Sequence, residues 1–180
     1  MNGPTFSLEP FAGNVSLSGL EITGHIARQS GTLSIGYLLR GGIERLAIPK
    51  PADIPARTNG LWENTCLEFF LARKGDKGYW EFNLSPDGHW NVYHFESYRQ
   101  GMQEETAFGS LPFLVSRQPE SVSLDLTAAL EKIIPRQPPL EIGVAAVIKS
   151  IGGESSYWAL THKGARADFH RRDGFIIELG

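Results

Sequence analysis

Two carboxylic acids, Glu68 and Glu81, stand inside short apolar runs of this 180-residue chain. Trp62 to Ala72 reads as a strand. Successive side chains of a strand point to opposite faces, so Leu67, Phe69 and Leu71 share one face and Cys66, Glu68 and Phe70 the other. Arg73 to Gly78 is a polar turn, and Tyr79 to Leu84 is the returning strand. Symmetric pairing across the turn sets Leu71 by Trp80, Phe69 by Phe82 and Leu67 by Leu84 on an apolar, core-forming face. The opposite face then sets Phe70 by Glu81 and Glu68 by Asn83, with Tyr79 at its flank. Carboxyl and amide groups that pair with hydroxyls, beside rings that cover apolar C–H faces, suit a sugar or a sugar-like polar ligand. The plain alternative is a solvated outer face, which antiparallel sheets often have.

Other chemistry fits less well. Glycoside hydrolysis needs one protonated and one ionised carboxyl at a set separation across a bound bond, and neighbouring strands impose no such separation on Glu68 and Glu81. The chain has no Walker-type phosphate loop, dinucleotide fingerprint, G-x-S-x-G elbow or H-E-x-x-H. The single cysteine, Cys66, lies mid-strand, a place for packing rather than nucleophilic attack. A non-catalytic binding domain is the expectation. His89 and His94, five apart, fall on opposite faces of a regular strand. His162, Asp168 and His170 lie in or beside a loop, Lys163 to Asp173, that also holds Arg166, Arg171 and Arg172. Their positive charge disfavours a divalent cation, so no metal site is expected. The arginines either pair with Asp168 at the surface or hold an acidic or phosphorylated small ligand.

The strand after the carboxyl pair, Trp90 to Phe95, is open in register by one residue, and such a slip turns every side chain over. Either Asn91, Tyr93 and Phe95 or Trp90, Val92 and His94 join the polar face. Trp62 follows Asn59-Gly60-Leu61 and stands at the rim of the sheet. There it either covers a ligand lying over Glu68 or packs the proline-rich loop, Lys50 to Gly60, onto the domain.

The elements that must position these residues are strands. Length gives a soft prior of one domain, residues 1–180. Hydrophobic residues at 41% and charged residues at 21% are ordinary for a globular chain. A net charge of −3 offers no broad basic field for nucleic acid or an anionic membrane. Met1 to Phe11 has no signal-peptide pattern, and no run approaches the ~20 apolar residues of a membrane span. A cytoplasmic protein with a small polar ligand, possibly a saccharide, is expected. No feature of the sequence sets an oligomeric state.

Glycine (20) and proline (11) punctuate short alternating segments. Leu20 to Ile26 and Leu33 to Leu39 form a hairpin, and Ile43 to Ile48 is a third apolar piece. Leu111 to Ser116, Ser121 to Leu126, Leu140 to Ser150, Ser156 to His162 and Phe175 to Leu179 are further strands, while Tyr98 to Gly109 is a loop. Only Ala128 to Ile134, after the capping residue Thr127, has a helical period; Gln137-Pro138-Pro139 breaks the chain behind it. The expected fold is all-β, an antiparallel β-sandwich with one short helix.

Leu61-Trp62-Glu63-Asn64-Thr65-Cys66-Leu67-Glu68-Phe69-Phe70-Leu71 resembles the hallmark strand of family-nine carbohydrate-binding modules and DOMON-like domains. The continuation, Tyr79-Trp80-Glu81-Phe82-Asn83-Leu84-Ser85-Pro86-Asp87-Gly88-His89-Trp90 on to Met102, resembles the bacterial stand-alone DOMON-like proteins more closely. Tyr157-Trp158-Ala159-Leu160-Thr161-His162 and Asp168-Phe169-His170 echo the same group. The resemblance implies a sandwich of jelly-roll type with a ligand pocket on or beside a concave sheet. It implies sugar-binding roles for Trp62 and Glu68 by position, with Trp158 as a candidate second ring. Where those relatives carry a basic residue on the following strand, this chain has Glu81. The ligand-binding set expected from residues and resemblance together is Trp62, Glu68, Glu81, Asn83, His94 and Trp158. The haem-binding relatives imply a second reading, a redox domain with Met102 and either His162 or His170 on the iron. A third is a protein-interaction module using the aromatic face.

Overall fold

A computed structural model describes residues 3–13, 17–136 and 138–180. Met1, Asn2 and Gln137 of the expected features lie outside the described residues. Among the described residues, twelve strands form one continuous curled sheet that folds over on itself as a sandwich. In chain order they are β1 (Thr5–Pro10), β2 (Glu21–Gln29), β3 (Thr32–Arg40), β4 (Cys66–Arg73), β5 (Tyr79–Leu84) and β6 (Trp90–Phe95). There follow β7 (Gln103–Glu104), β8 (Phe113–Gln118), β9 (Ser121–Ala129), β10 (Leu140–Lys149), β11 (Ser155–Ala159) and β12 (Ile177–Leu179). One layer runs β8-β9-β3-β2-β1 and the other β1-β11-β10-β4-β5-β6-β7, with β12 also on β10. Every pairing between these strands is antiparallel.

β1 joins the layers: Thr5 to Leu8 pair with β2, and Glu9 and Pro10 pair with β11. The sequence reading has no strand there, because Phe6 and Leu8 are its only two buried positions and prolines bracket it. Elsewhere the period-2 pattern sets the faces. Ile22, Ile35, Leu39 and Leu124 of one layer and Phe69, Phe82, Val92, Ile142 and Ile148 of the other are all essentially buried and form one apolar core. Phe69 and Phe82 stack there at 4.4 Å between ring centroids.

The expected helix at Ala128–Ile134 is corrected. β9 pairs with β3 along its whole length, as far as Ala129 opposite Thr32, and Val122, Leu124, Leu126 and Ala128 alternate inward. Nine paired residues outweigh a weak local helical preference. Only Leu130–Lys132 turns, as a single 3-10 turn, which buries Leu130. The helical structure among the described residues is four such turns, the others being Ile43–Arg45, Leu61–Glu63 and Arg172–Gly174. The apolar piece Ile43 to Ile48 is accordingly a turn followed by one bridge, Leu46 to Ser150, rather than a strand.

A second, smaller apolar cluster lies on the other face of the β4-β5-β6-β10 layer: Phe70, Tyr79, Tyr93, Phe95, Ala145, Ala159 and Phe175. Phe175 comes from the segment after β11, so that segment is packed onto the face that carries the carboxyls. Gly143 makes this possible, because a Cβ there would stand 2.7 Å from the Phe175 ring.

Candidate functional site

β4 and β5 pair in the register expected of them, with Glu68 opposite Asn83 and Phe70 opposite Glu81. β6 adds Asn91 beside Asn83, Tyr93 beside Glu81 and Phe95 beside Tyr79. β10 and β11 extend the same face with Ala145 and Val147, then Tyr157 and Ala159. The segment 160–176 covers part of it. A cavity of about 410 Å³ remains between segment and sheet. Its volume falls in the usual range of small-molecule sites, ~300–1,000 Å³. Glu68 and Glu81 line it, with Trp62 and Phe95 toward the β6 side and Tyr157 and Phe169 toward the β11 side. Arg99, Met102 and His170 complete the rim.

Each flank carries a ring pair. Gly60, with φ 72°, takes the left-handed conformation that glycine adopts without strain and opens the turn Leu61–Glu63. That turn presents Trp62, 40% exposed, edge-on to Tyr93 at 5.9 Å. Across the cavity Tyr157 meets Phe169 edge-on at 6.1 Å.

The floor is the unusual part. Glu68 is 2% exposed and Glu81 4%. Asn83 donates from Nδ2 to Glu81 Oε1 at 2.8 Å and accepts a long bond from Cys66 Sγ at 3.5 Å. Asn83 stands opposite Glu68 as expected, but its amide donates to Glu81 rather than to Glu68. Glu68 Oε1 is buried and has no hydrogen-bond partner among the described residues. Burial pushes the Glu68 carboxyl well above the usual carboxylate range, and the Glu81 charge pushes the same way. Burial likewise pushes Glu81 up to about 7, against the opposing Asn83 bond and Arg99 charge. The Cys66 thiol is also raised, by burial and then by the two carboxyls, which fits a packing role.

The covering segment is held by named contacts. His170 Nδ1 shares a proton with the Tyr79 hydroxyl at 2.8 Å, and its ring packs edge-on against Phe70 and Phe95. Burial, then the Arg99 charge, pushes His170 down to about 4. Its 3.8 Å approach to Glu81 thus joins two neutral groups between about pH 4 and 7, not an ion pair. Asp168 accepts from Arg99 Nη2 at 2.8 Å and from the Tyr98 hydroxyl at 2.5 Å. Burial raises its carboxyl, but those two bonds outweigh it and hold it below the ordinary value. Arg99 has φ 53°, a strained conformation for a residue with a Cβ, and its N–H donates to the Tyr79 hydroxyl at 3.2 Å. Asp168 does pair with an arginine, but with Arg99 from another loop. Arg171 pairs with Asp173, and Arg172 with Glu141.

Three of the six expected residues, Trp62, Glu68 and Glu81, meet at the cavity. Asn83 lies beneath them and fixes Glu81. His94 is corrected to the opposite face: β6 sets it against Trp80, ring centroids 4.9 Å apart, on the core side. Trp158 is also corrected. It pairs with Ala146 and joins the main core, its Nε1 donating to Ser156 Oγ at 2.9 Å. The ring that reaches the cavity is its neighbour Tyr157, which extending the strand alternation from Glu68 through Ala145 and Val147 would have found. His162 lies elsewhere, with Nε2 on the Glu9 carbonyl at 2.8 Å. Among the described residues no group of three or more His, Cys, Asp or Glu side chains could hold a metal ion. No described helix is long and apolar enough to cross a membrane.

No family model matches the sequence, and no curated protein matches it. Solved structures do resemble the fold. A candidate carbohydrate-binding protein from Bacteroides uniformis ATCC 8492 superposes with a TM-score of 0.65 at 14% identity, over 96% of this chain and 84% of that one. A family 9 carbohydrate-binding module from Caldicellulosiruptor kristjanssonii in complex with glucose gives 0.55 at 9% identity, over 91% and 78%. The same organism's family 9 module in complex with cellotriose gives 0.52 at 9%, over 91% and 75%.

Proposed function

We propose that this protein is a non-catalytic binding domain for a carbohydrate or sugar-like polar ligand held over Glu68 and Glu81. The observation that carries the reading is the Glu68 carboxyl, buried at the floor of a cavity with one oxygen that no group among the described residues satisfies. Buried polar atoms in folded proteins are nearly always paired, so an orphan beside a cavity marks where a ligand's donor belongs. The two ring pairs supply faces for the apolar side of a sugar ring. The fold's likeness to modules bound to glucose and cellotriose supports the same class.

Catalysis is disfavoured by the floor itself. Burial drives both carboxyls toward the protonated form, whereas hydrolysis wants one ionised partner. Haem ligation is disfavoured as well. Met102 and His170 both line the cavity, but each nitrogen of His170 already faces a protein group, Tyr79 or Glu81. A saccharide panel titrated against native tryptophan fluorescence tests the proposal. Binding that Trp62→Ala removes without loss of the β-sheet circular dichroism supports it. A broad panel with no response, or a Soret band in the purified protein, overturns it.

A further inference from the structure

Among the described residues, neither floor carboxyl forms an ion pair with an arginine or lysine. Glu68 on β4 and Glu81 on β5 are diagonal neighbours, with Cβ atoms roughly 7 Å apart. Two glutamate side chains can close that span onto one small group. The charged and titratable side chains around them are Cys66 on β4, Tyr79 on β5, Tyr93 on β6, Glu104 on β7, and Tyr37, whose hydroxyl donates to the Glu68 carbonyl from the opposite layer. From the loops come Arg99, Asp168 and His170. β10 contributes Ala145 and Val147, its Lys149 on the same face donating to the Glu63 carbonyl at 3.0 Å, and β11 contributes Tyr157. Of the arginines near this set, Arg99 pairs with Asp168, and Arg57 is bonded to Asn91 and to the Glu105 and Phe108 carbonyls. His170 is neutral above about pH 4. Among the described residues no lysine lines the cavity.

Resting on the binding reading above, we infer that the ligand is a sugar with a free amino group, its ammonium seated between the Glu68 and Glu81 carboxyls and its ring against Trp62 or Tyr157. An ammonium has three donors and no acceptor, which matches a floor of acceptors including the orphaned Glu68 oxygen. Its charge offsets the cost of an ionised carboxylate in a buried site. Rings on both flanks add the attraction of a cation for an aromatic face. A neutral hexose supplies hydroxyls but no charge, and leaves the floor protonated.

Seating an ammonium there exchanges a proton on the carboxyl pair for the ligand cation, so binding releases a proton to solvent. Isothermal titration of the native protein at about pH 6 compares glucosamine and galactosamine with glucose, galactose and the two N-acetyl derivatives; repeating it in buffers of different ionisation heat counts the protons. The amino sugars are expected to bind at least roughly tenfold more tightly than their neutral counterparts. They should also release a substantial fraction of a proton per ligand, while the neutral sugars release none. Glu68→Gln is expected to narrow the ratio between amino and neutral sugar. The proton count on the native protein decides the matter should that variant not fold. Neutral or N-acetylated sugars binding as tightly as the amino sugars, or amino sugars binding without proton release, overturns the inference and leaves the binding reading standing. If neither these sugars nor the wider panel binds, both fall.

Discussion

Two polar clusters share one face of the same layer, and they differ in how far their groups are matched. Around Asn91 every group is matched. Arg57 Nη1 donates to Asn91 Oδ1 at 2.6 Å, and its Nη2 donates to the carbonyls of Glu105 and Phe108 at 2.9 and 2.7 Å. Asn91 Nδ2 lies within 3.0 Å of Asn59 Oδ1, Tyr93 Oη and Glu104 Oε1. On the adjoining strands β5 and β4, the Glu81–Glu68 floor keeps, among the described residues, one oxygen without a partner and two carboxyls outside any ion pair with arginine or lysine. A satisfied buried network ties loops to a sheet and adds specificity to the fold. An unsatisfied one costs stability in the free protein, and a cavity above it gives that cost a purpose. Both clusters hold an amide, a carboxyl and a tyrosine; the Asn91 cluster adds an arginine, Arg57, bonded within it.

Removing a member of each cluster breaks this comparison most sharply. Asn91→Ala strips a fully buried amide and leaves Arg57 and Glu104 short of partners, an expected loss of about 2–4 kcal/mol by denaturant unfolding. Glu68→Gln removes no bond at Oε1 and is expected to change stability by less than about 1 kcal/mol. Equal losses from the two variants would mean that the floor is as structural as the Asn91 cluster.

The pH dependence of stability separates the clusters next. Glu81 titrates near 7 in the folded protein against 4.5 as its ordinary value. The folded state therefore binds more protons than the unfolded state across that window, and stability falls as pH rises through it. The cost at alkaline pH is on the order of 3 kcal/mol. His170 acts oppositely: folded near 4 against an ordinary 6.5, it loses stability as pH falls through that range. Glu81→Gln keeps the acceptor for Asn83 and removes the titration. Its stability relative to the native protein should rise between about pH 4 and 8. Parallel curves for the two proteins would place Glu81 in an ordinary solvated setting.

Trp62→Ala is expected to weaken saccharide binding by roughly tenfold or more while costing at most about 1 kcal/mol of stability. A ring 40% exposed, in one edge-on contact, adds little to the fold. A large stability loss would instead make it the clamp that holds the proline-rich loop.

What the sequence discloses follows from where the constraint is local. The β4–β5 register is legible because a polar turn joins two runs whose apolar residues alternate, and a slip would bury Glu68 in the main core. The β5–β6 register is not, because the turn decides it through its own bonds: Ser85 N–H to the His89 carbonyl, Gly88 N–H to the Ser85 carbonyl, and His89 N–H to Asp87 Oδ1. The covering segment has no period at all. Phe175 against Phe70 and Asp168 against Arg99 hold it by contacts far apart in the chain. Arg99 and His170 thus enter the site through tertiary packing, and Tyr157 through a register that links three strands.

The smallest expected effect concerns the residue that the wrong register would have put into the site. His94 faces Trp80 across the β5–β6 pair, on the side away from Glu81, and Trp80 Nε1 donates to Glu105 Oε2 at 2.9 Å. His94→Ala removes one tilted ring contact from a partly exposed position and should cost about 0.5–1 kcal/mol. Saccharide affinity should stay within about twofold of native, since a strand's two faces are separated by the backbone itself. Trp80 emission should shift, because its neighbour is gone, and this reports that the substitution was felt locally. If affinity instead falls as far as in Trp62→Ala, β6 is turned over in solution and Asn91 and Tyr93 belong to the core. The contrast between a satisfied and an unsatisfied cluster on one face would then be lost, because the two clusters would no longer share that face.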